Sequence, residues 1–316
     1  MSSVLPAPPS PKSRETTISY LSRLAASKGV SAREYASDMG VSLKRVINQE
    51  DEALKRMAYW GRLSIEQLAD QVSWAGSPAG DVRLNFRGEL YGTRSLRNPV
   101  VRGCPHCLRE DMDNCANAPA AAMAMRGDWQ FRESILCVRH KQPLVPLWRS
   151  QPLIERSDFT LHLPAVAEAL ANGRIVQQLC KPLPYDTWLD RRLSSGQDDT
   201  WLSSLTVYAV STVCLLLGMK LRSLSTAEVN DDWRRRHAAL SAGFEIVSRG
   251  EDGVRNALDR LALEANNGRD TPKAAFGQLY GKLSIDFVKD PASLFSGQFY
   301  EIAYWITGST LAPRSC

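Results

Sequence analysis

The 316-residue chain has no apolar run long enough to cross a bilayer. Its longest, "TVYAVSTVCLLLGM" from Thr206 to Met219, has 14 residues and is interrupted by Ser211 and Thr212, against the ~20 that a spanning helix needs. It reads as a buried helix, and no membrane partner is expected. The opening "MSSVLPAPPSPKSR" has no apolar h-region. It reads as a proline-rich disordered tail over residues 1–14 that directs no secretion, which makes the cytoplasm the expected location. No internal repeat is evident, so a solenoid is not expected. Clustered carboxylates of the kind a nuclease or hydrolase requires are also missing. Glu110, Asp111 and Asp113 of "REDMD" sit beside basic residues and read as solvated surface pairs, so no catalytic residue is expected.

What is present points to a folded protein. With 44% hydrophobic and 23% charged residues, the composition is globular, and the length suits two domains. The net charge of +5 is unevenly spread: residues 1–150 hold 21 Lys and Arg against 15 Asp and Glu, while the remainder holds 18 against 19. Between Arg83 and Arg109 six arginines accompany a single acid, Glu89. Arg83, Arg87, Arg94, Arg97 and Arg102 are therefore candidate phosphate contacts, with a solvated basic face as the alternative.

Helical periodicity begins at "ETTISYLSRLAASKG", with Ile18, Leu21, Leu24 and Ala25 on one face and Gly29 as the stop. In "VSAREYASDMGVSLKRVINQ", Ser31 and Ser42 are helix caps and Gly40 a turn. Ala36, Gly40 and Val46 take helix-turn-helix positions, which would leave Lys44 and Arg45, with Asn48, to face DNA; the alternative is an ordinary helical corner. A further helix starts at Ser64, with Gln67 placed for a capping box. Five glycines and two prolines over residues 76–103 indicate loops and short strands. The segment 118–126 reads as helix, and "DWQFRESILCVRHKQPLVPLW" as strands.

Prolines 152, 164, 182 and 184 divide residues 151–196 into a linker. A helical C-terminal lobe over 197–316 follows. The expected fold is thus mainly α with a small zinc-bound α+β module: N-terminal helices and zinc-ribbon-like knuckles within a domain over 15–150, the module itself at about 100–148.

Seven cysteines include one CxxC pair, Cys104 and Cys107, answered after 29 intervening residues by "CVRH", Cys137 and His140. A CxxC corner aims both donors to one side, and a second corner completes a tetrahedron, so Cys104, Cys107, Cys137 and His140 suit Zn2+. Four such ligands close the coordination sphere, which makes the site structural rather than hydrolytic. Cys115 is an alternative to Cys137, and His106 an outward-pointing alternative ligand. Cys180 and Cys214 read as core thiols, and His162 and His237 as satisfied or surface histidines.

Together the stretches "ETTISYLSRLA", "RGCPHCLRED", "DWQF" and "CVRHKQPLV" resemble the TniQ family of transposition target-selection proteins, which includes the N-terminal region of TnsD. The resemblance covers about residues 15–150, and "GFEIVSRGEDGVRNALDRL" and "FGQLYGKLS" extend it loosely to about residue 284. It implies a non-catalytic DNA-targeting adaptor in the bacterial cytoplasm that binds zinc through Cys104, Cys107, Cys137 and His140. Its partners would be DNA, an AAA+ ATPase transposition regulator (TniB/TnsC-like) and the transposase assembly, with an RNA-guided CRISPR complex and a homodimer in some members. The alternative is a zinc-stabilised helix-turn-helix transcription regulator. The closing "FSGQFYEIAYWITGSTLAPRSC" does not resemble the family, and a truncation or frameshift is expected there.

Overall fold

The computed structural model describes residues 7–80, 82–113, 119–175, 179–264 and 276–282. They are mainly helical, with small antiparallel sheets, and the chain divides into two compact units between Lys181 and Pro182.

The first unit opens with five helices: α1 (Thr17–Ser27), α2 (Ala32–Asp38), α3 (Leu43–Ile47), α4 (Asp51–Gly61) and α5 (Ile65–Ala75). Their starts follow from local chemistry. The Thr16 and Ser42 side chains accept from the first-turn amides of α1 and α3, and Ser31 with Glu34 and Ser64 with Gln67 form capping boxes on α2 and α5. Gly40, at φ +75°, turns the chain between α2 and α3 in a conformation that disfavours L side chains. Tyr20, Leu21, Leu24, Ala36, Val46 and Met57 fill the core these helices share.

Short strands follow: β1 (Ser77–Pro78), β2 (Arg83–Phe86) and β3 (Glu89–Gly92) form an antiparallel sheet. A row of rings, Trp74, Phe86, Tyr91 and Phe131, packs edge to face with centroid separations of 6.0, 5.4 and 5.2 Å. Next come α6 (Thr93–Leu96), β4 (Val100–Gly103), α7 (Pro105–Asp113), α8 (Pro119–Ala122), β5 (Leu136–Cys137), β6 (Gln142–Pro143) and β7 (Val145–Arg149). β4 pairs with β7 across a register shift at Val101/Arg102, and β5 pairs with β6. Two expectations are corrected here. Among its described residues the helix expected over 118–126 is helical only at Pro119–Ala122, and "DWQF" lies on a 3-10 turn at Gly127–Gln130 rather than a strand.

A buried network ties α1 to the stretch after α8. The Arg23 guanidinium pairs with Glu15 at 2.8 Å and donates to the Ala121 carbonyl, and Ser19 Oγ accepts from the Met125 amide. Burial, outweighing the nearby Arg23 charge, raises the Glu15 carboxyl above the ordinary carboxylate range.

The stretch read as a linker is structured. It carries α9 (Leu153–Ser157), α10 (Leu163–Ala171) and α11 (Pro184–Ser195). Leu163, Val166 and Leu170 of α10 join Leu108, Met123 and Trp129 in a second core of the first unit. The Asp158 carboxylate accepts from the Ala32 and Arg33 amides at 3.2 Å, capping α2 from 125 residues or more along the chain. The prolines act here as helix openers: Pro164 and Pro184 stand in the first turns of α10 and α11, where a missing N–H costs nothing.

In the second unit α11 is followed by α12 (Val207–Leu221), α13 (Thr226–Asp231), α14 (Trp233–Val247), α15 (Glu251–Glu264) and α16 (Gln278–Gly281). The apolar run is α12, buried along most of its length. It touches α14 backbone to backbone: a Cβ on Gly218 would stand 1.8 Å from the Ala239 carbonyl oxygen, and one on Gly243 1.8 Å from that of Cys214. Tyr185 and Trp188 of α11 pack on Phe244, and His237 Nε2 meets Asp186 at 2.7 Å in the buried interior. No described helix is long and apolar enough to cross a membrane.

Candidate metal centre

Two corners bring the ligand residues together. At the first, β4 ends in Gly103, where a Cβ would stand 2.7 Å from Leu147 and 3.1 Å from the Trp129 ring. Only glycine lets the chain pass this close. Cys104 follows, Pro105 opens α7, and Cys107 lies in its first turn. At the second corner, Cys137 ends β5 and pairs with Gln142 of β6. The connecting turn holds His140 and places Lys141 at φ +52°.

The donor atoms of Cys104, Cys107, Cys137 and His140 all lie within 4.8 Å of one another. Cys107 Sγ is 3.8 Å from Cys137 Sγ, and His140 Nδ1 is 3.5, 3.1 and 3.6 Å from the sulfurs of Cys104, Cys107 and Cys137. Around one tetrahedral ion with sulfur at about 2.3 Å and nitrogen at about 2.0 Å, the donor edges are about 3.8 Å between sulfurs and about 3.5 Å from sulfur to nitrogen. The observed edges fit that figure, so this buried cluster can hold a metal ion and its donor set is compatible with zinc.

Protons are shared unevenly within the cluster. Hydrogen bonds with Cys104 and Cys107 pull the Cys137 thiol strongly down, whereas its hydrogen bonds to Cys104 and Cys137, together with burial, push Cys107 up.

A second layer surrounds the histidine. His140 Nε2 lies 3.1 Å from Glu110 Oε1, Arg139 pairs with the other Glu110 oxygen at 2.9 Å, and the His106 ring lies against that of His140 with centroids 4.3 Å apart. A proton on Nε2 facing Glu110 leaves Nδ1 as the lone-pair donor toward the sulfurs. Glu110 thus makes the surface pair expected, with Arg139, and also meets His140, whereas Asp111 is not the solvated pair expected. Asp111 is buried, receives Arg126 through both oxygens at 2.6 and 3.0 Å, and accepts from the Ala124 amide. The available signal was helical spacing, since Glu110 and Asp111 stand about one turn beyond Cys107 on α7.

The other sequence candidates are placed as follows. Cys214 is buried and Cys180 half-buried, both apart from the cluster, while Cys115 and Cys316 lie outside the described residues. His106 is exposed and grouped with Glu110 and His140 rather than with the sulfurs. His162 stacks on Trp148 at 4.9 Å.

The basic candidates have different surroundings. Lys44 and Arg94 are exposed, Arg45 pairs with Glu50 at 2.6 Å, and Arg83 is half-buried on β2. Arg87 lies over the Trp74 ring at 4.3 Å and donates to Ser73 Oγ. Arg102 donates to the Trp129 and Phe131 carbonyls, and Arg97 lines a cleft. The α2–α3 corner exists, but α3 has five residues.

No curated protein matches the chain. The TniQ family model matches residues 6–144, a span that contains the five N-terminal helices and both metal corners. Over residues 6–144, a little under half of its length, the chain is similar to the TniQ family.

Proposed function

We propose that the protein is a non-catalytic DNA-targeting adaptor in transposition, helping to select the insertion site and to recruit an AAA+ ATPase regulator. The observation that carries the reading is the coincidence of the TniQ match with a closed donor set at tetrahedral spacing. Zinc at Cys104, Cys107, Cys137 and His140 would fix β4, α7 and the β5–β6 turn as one platform. Three thiolates and an imidazole occupy every position of a tetrahedral ion, so its role is architectural. The phosphate contacts belong to the side chains that point outward or are half-exposed, Lys44, Arg83 and Arg94, with Arg45 joining them once released from Glu50. The second unit is the proposed partner-docking lobe.

The test is a mobility-shift titration of the full chain against duplex DNA at several salt concentrations, with a pull-down of a TniB/TnsC-like AAA+ ATPase. Binding should weaken with salt in proportion to the phosphates contacted and fall together for Cys104→Ser. Salt-independent binding, or unchanged binding and metal content in Cys104→Ser, refutes the reading. Occupancy of promoters instead of element ends would favour the transcription-regulator alternative, which needs the short α3 to read a groove unaided.

A further inference from the structure

A cleft opens in the first unit between the N-terminal helices, the short sheets and α9. Four arginines, Arg97, Arg102, Arg126 and Arg156, line it, and no aspartate or glutamate does. Two of the four are already satisfied: Arg102 by main-chain carbonyls and Arg126 by Asp111. The others are not. Arg97 makes no side-chain hydrogen bond or ion pair among the described residues, and Arg156 uses only Nη1, donating to the Ser150 and Gln151 carbonyls. Burial holds both guanidinia below their ordinary range, and the charge of Arg97 lowers Arg156 further. Like charges withdrawn together from water without a counter-ion are costly unless an anion joins them.

Two further features narrow the occupant. The walls are aliphatic, from Ile18, Ile47, Leu84, Leu96 and Leu153. The lining aromatics are engaged already: Arg126 covers the Trp129 ring at 5.1 Å, and Phe159 meets Trp148 edge-on at 5.4 Å. A nucleobase would lack the free stacking face that single-strand binders provide. Gln49 also lines the cleft. Its amide nitrogen donates to Thr17 Oγ1 and the Val46 carbonyl, both at 2.8 Å, while its buried Oε1 has no donor. A main-chain N–H supplies what that oxygen lacks.

We propose that this cleft docks a short acidic peptide segment of a protein partner, with an apolar side chain between the aliphatic walls and a neighbouring carboxylate held by Arg97 and Arg156. Guanidinium and carboxylate match in a bidentate geometry, and the apolar side chain supplies the desolvated anchor typical of such sites. The inference stands apart from the DNA-targeting reading, since it uses neither the metal centre nor the outward-facing basic residues, and it assigns Arg97 to protein rather than to DNA.

The test is a random-heptapeptide phage selection on the full chain, followed by fluorescence anisotropy with the best recovered peptide. Recovered sequences should pair Asp or Glu with Leu, Ile or Phe. Arg97→Ala and Arg156→Ala should each weaken the peptide about tenfold, with the melting profile and metal content unchanged, and Leu96→Glu should abolish binding by placing an acid in the apolar wall. Recovery of sequences without acids, or a peptide affinity indifferent to Arg97→Ala, overturns the proposal. So does a single-stranded oligonucleotide that displaces the peptide and itself depends on Arg97.

Discussion

The two units of this chain close their interiors with different emphasis. In the first, the metal corners are built from strands of two to five residues and helices of four and nine, elements too short to bury much apolar surface. Cohesion there comes from side-chain chemistry: four donors aimed at one point, Asp111 gripping Arg126, and Glu15 gripping Arg23. In the second, α12 and α14 have 15 residues each, and Gly218 and Gly243 let their two backbones meet beneath the packed rings of Tyr185, Trp188 and Phe244. The contrast teaches where each unit is vulnerable. The metal corners are exposed to the loss of a donor, the α12–α14 contact to the gain of an atom.

The largest effect should come from the metal. Structural zinc contributes roughly 10 kcal/mol to such a module, so chelation, or Cys107→Ser, should unfold the first unit while the melting of the second stays where it was. Calorimetry resolving two transitions, only one of which moves with metal content, would confirm the division; a single transition that shifts as a whole would break it. The reciprocal experiment is Gly243→Ala. Its new Cβ has backbone as its neighbour on α14's partner, and no rotamer change can relieve that contact, so a loss of about 3 kcal/mol is expected in the second transition, with the zinc content of the protein unaltered.

A smaller and more local effect is expected at Glu110. Removing the carboxylate behind a metal-bound imidazole typically costs 10–100-fold in affinity. Glu110→Ala should therefore release zinc to a competing chelator about tenfold faster, with Glu110→Gln in between, and equal release from all three proteins would deny Glu110 an orienting role. The smallest effect concerns acid. Burial alone would raise the Asp198 carboxyl, but hydrogen bonds from Thr200 and Trp188 and the bond to Arg192 outweigh it and hold it below the ordinary value of 3.8. Its ionised form thus stabilises the second unit at neutral pH, and that contribution fades as pH falls from the ordinary value through the lower folded one. Asp198→Asn should melt earlier at neutral pH and lose less stability on acidification.

Much of this was written locally. Ser31, Ser42 and Ser64 announced helix starts because a cap acts within three residues, and the metal corners were readable because two donors at fixed spacing converge whatever surrounds them. The TniQ match over 6–144 was readable for the same reason. What escaped was long-range. The prolines of 151–196 suggested a linker, yet proline favours a helix's first turn as readily as it breaks a helix's middle, and only the packed core shows which applies. The arginines of 83–102 looked uniform in composition, but folding gave Arg87 an aromatic face, Arg102 two carbonyls and Arg97 a cleft. The meeting of Glu110 with His140 escaped because the two stand 30 residues apart.

The reach of Asp158 back to the start of α2 separates the boundary of the family match from the boundary at which the domain can stand alone. A fragment stopping at Leu144 would keep every metal ligand yet leave the first-turn amides of α2 without their carboxylate, and would strip α10 from the apolar residues behind the sulfurs. The shortest piece of this protein expected to stand alone therefore extends through α10, since trimming it to the matched span would remove the cap on α2 and one wall of the second core.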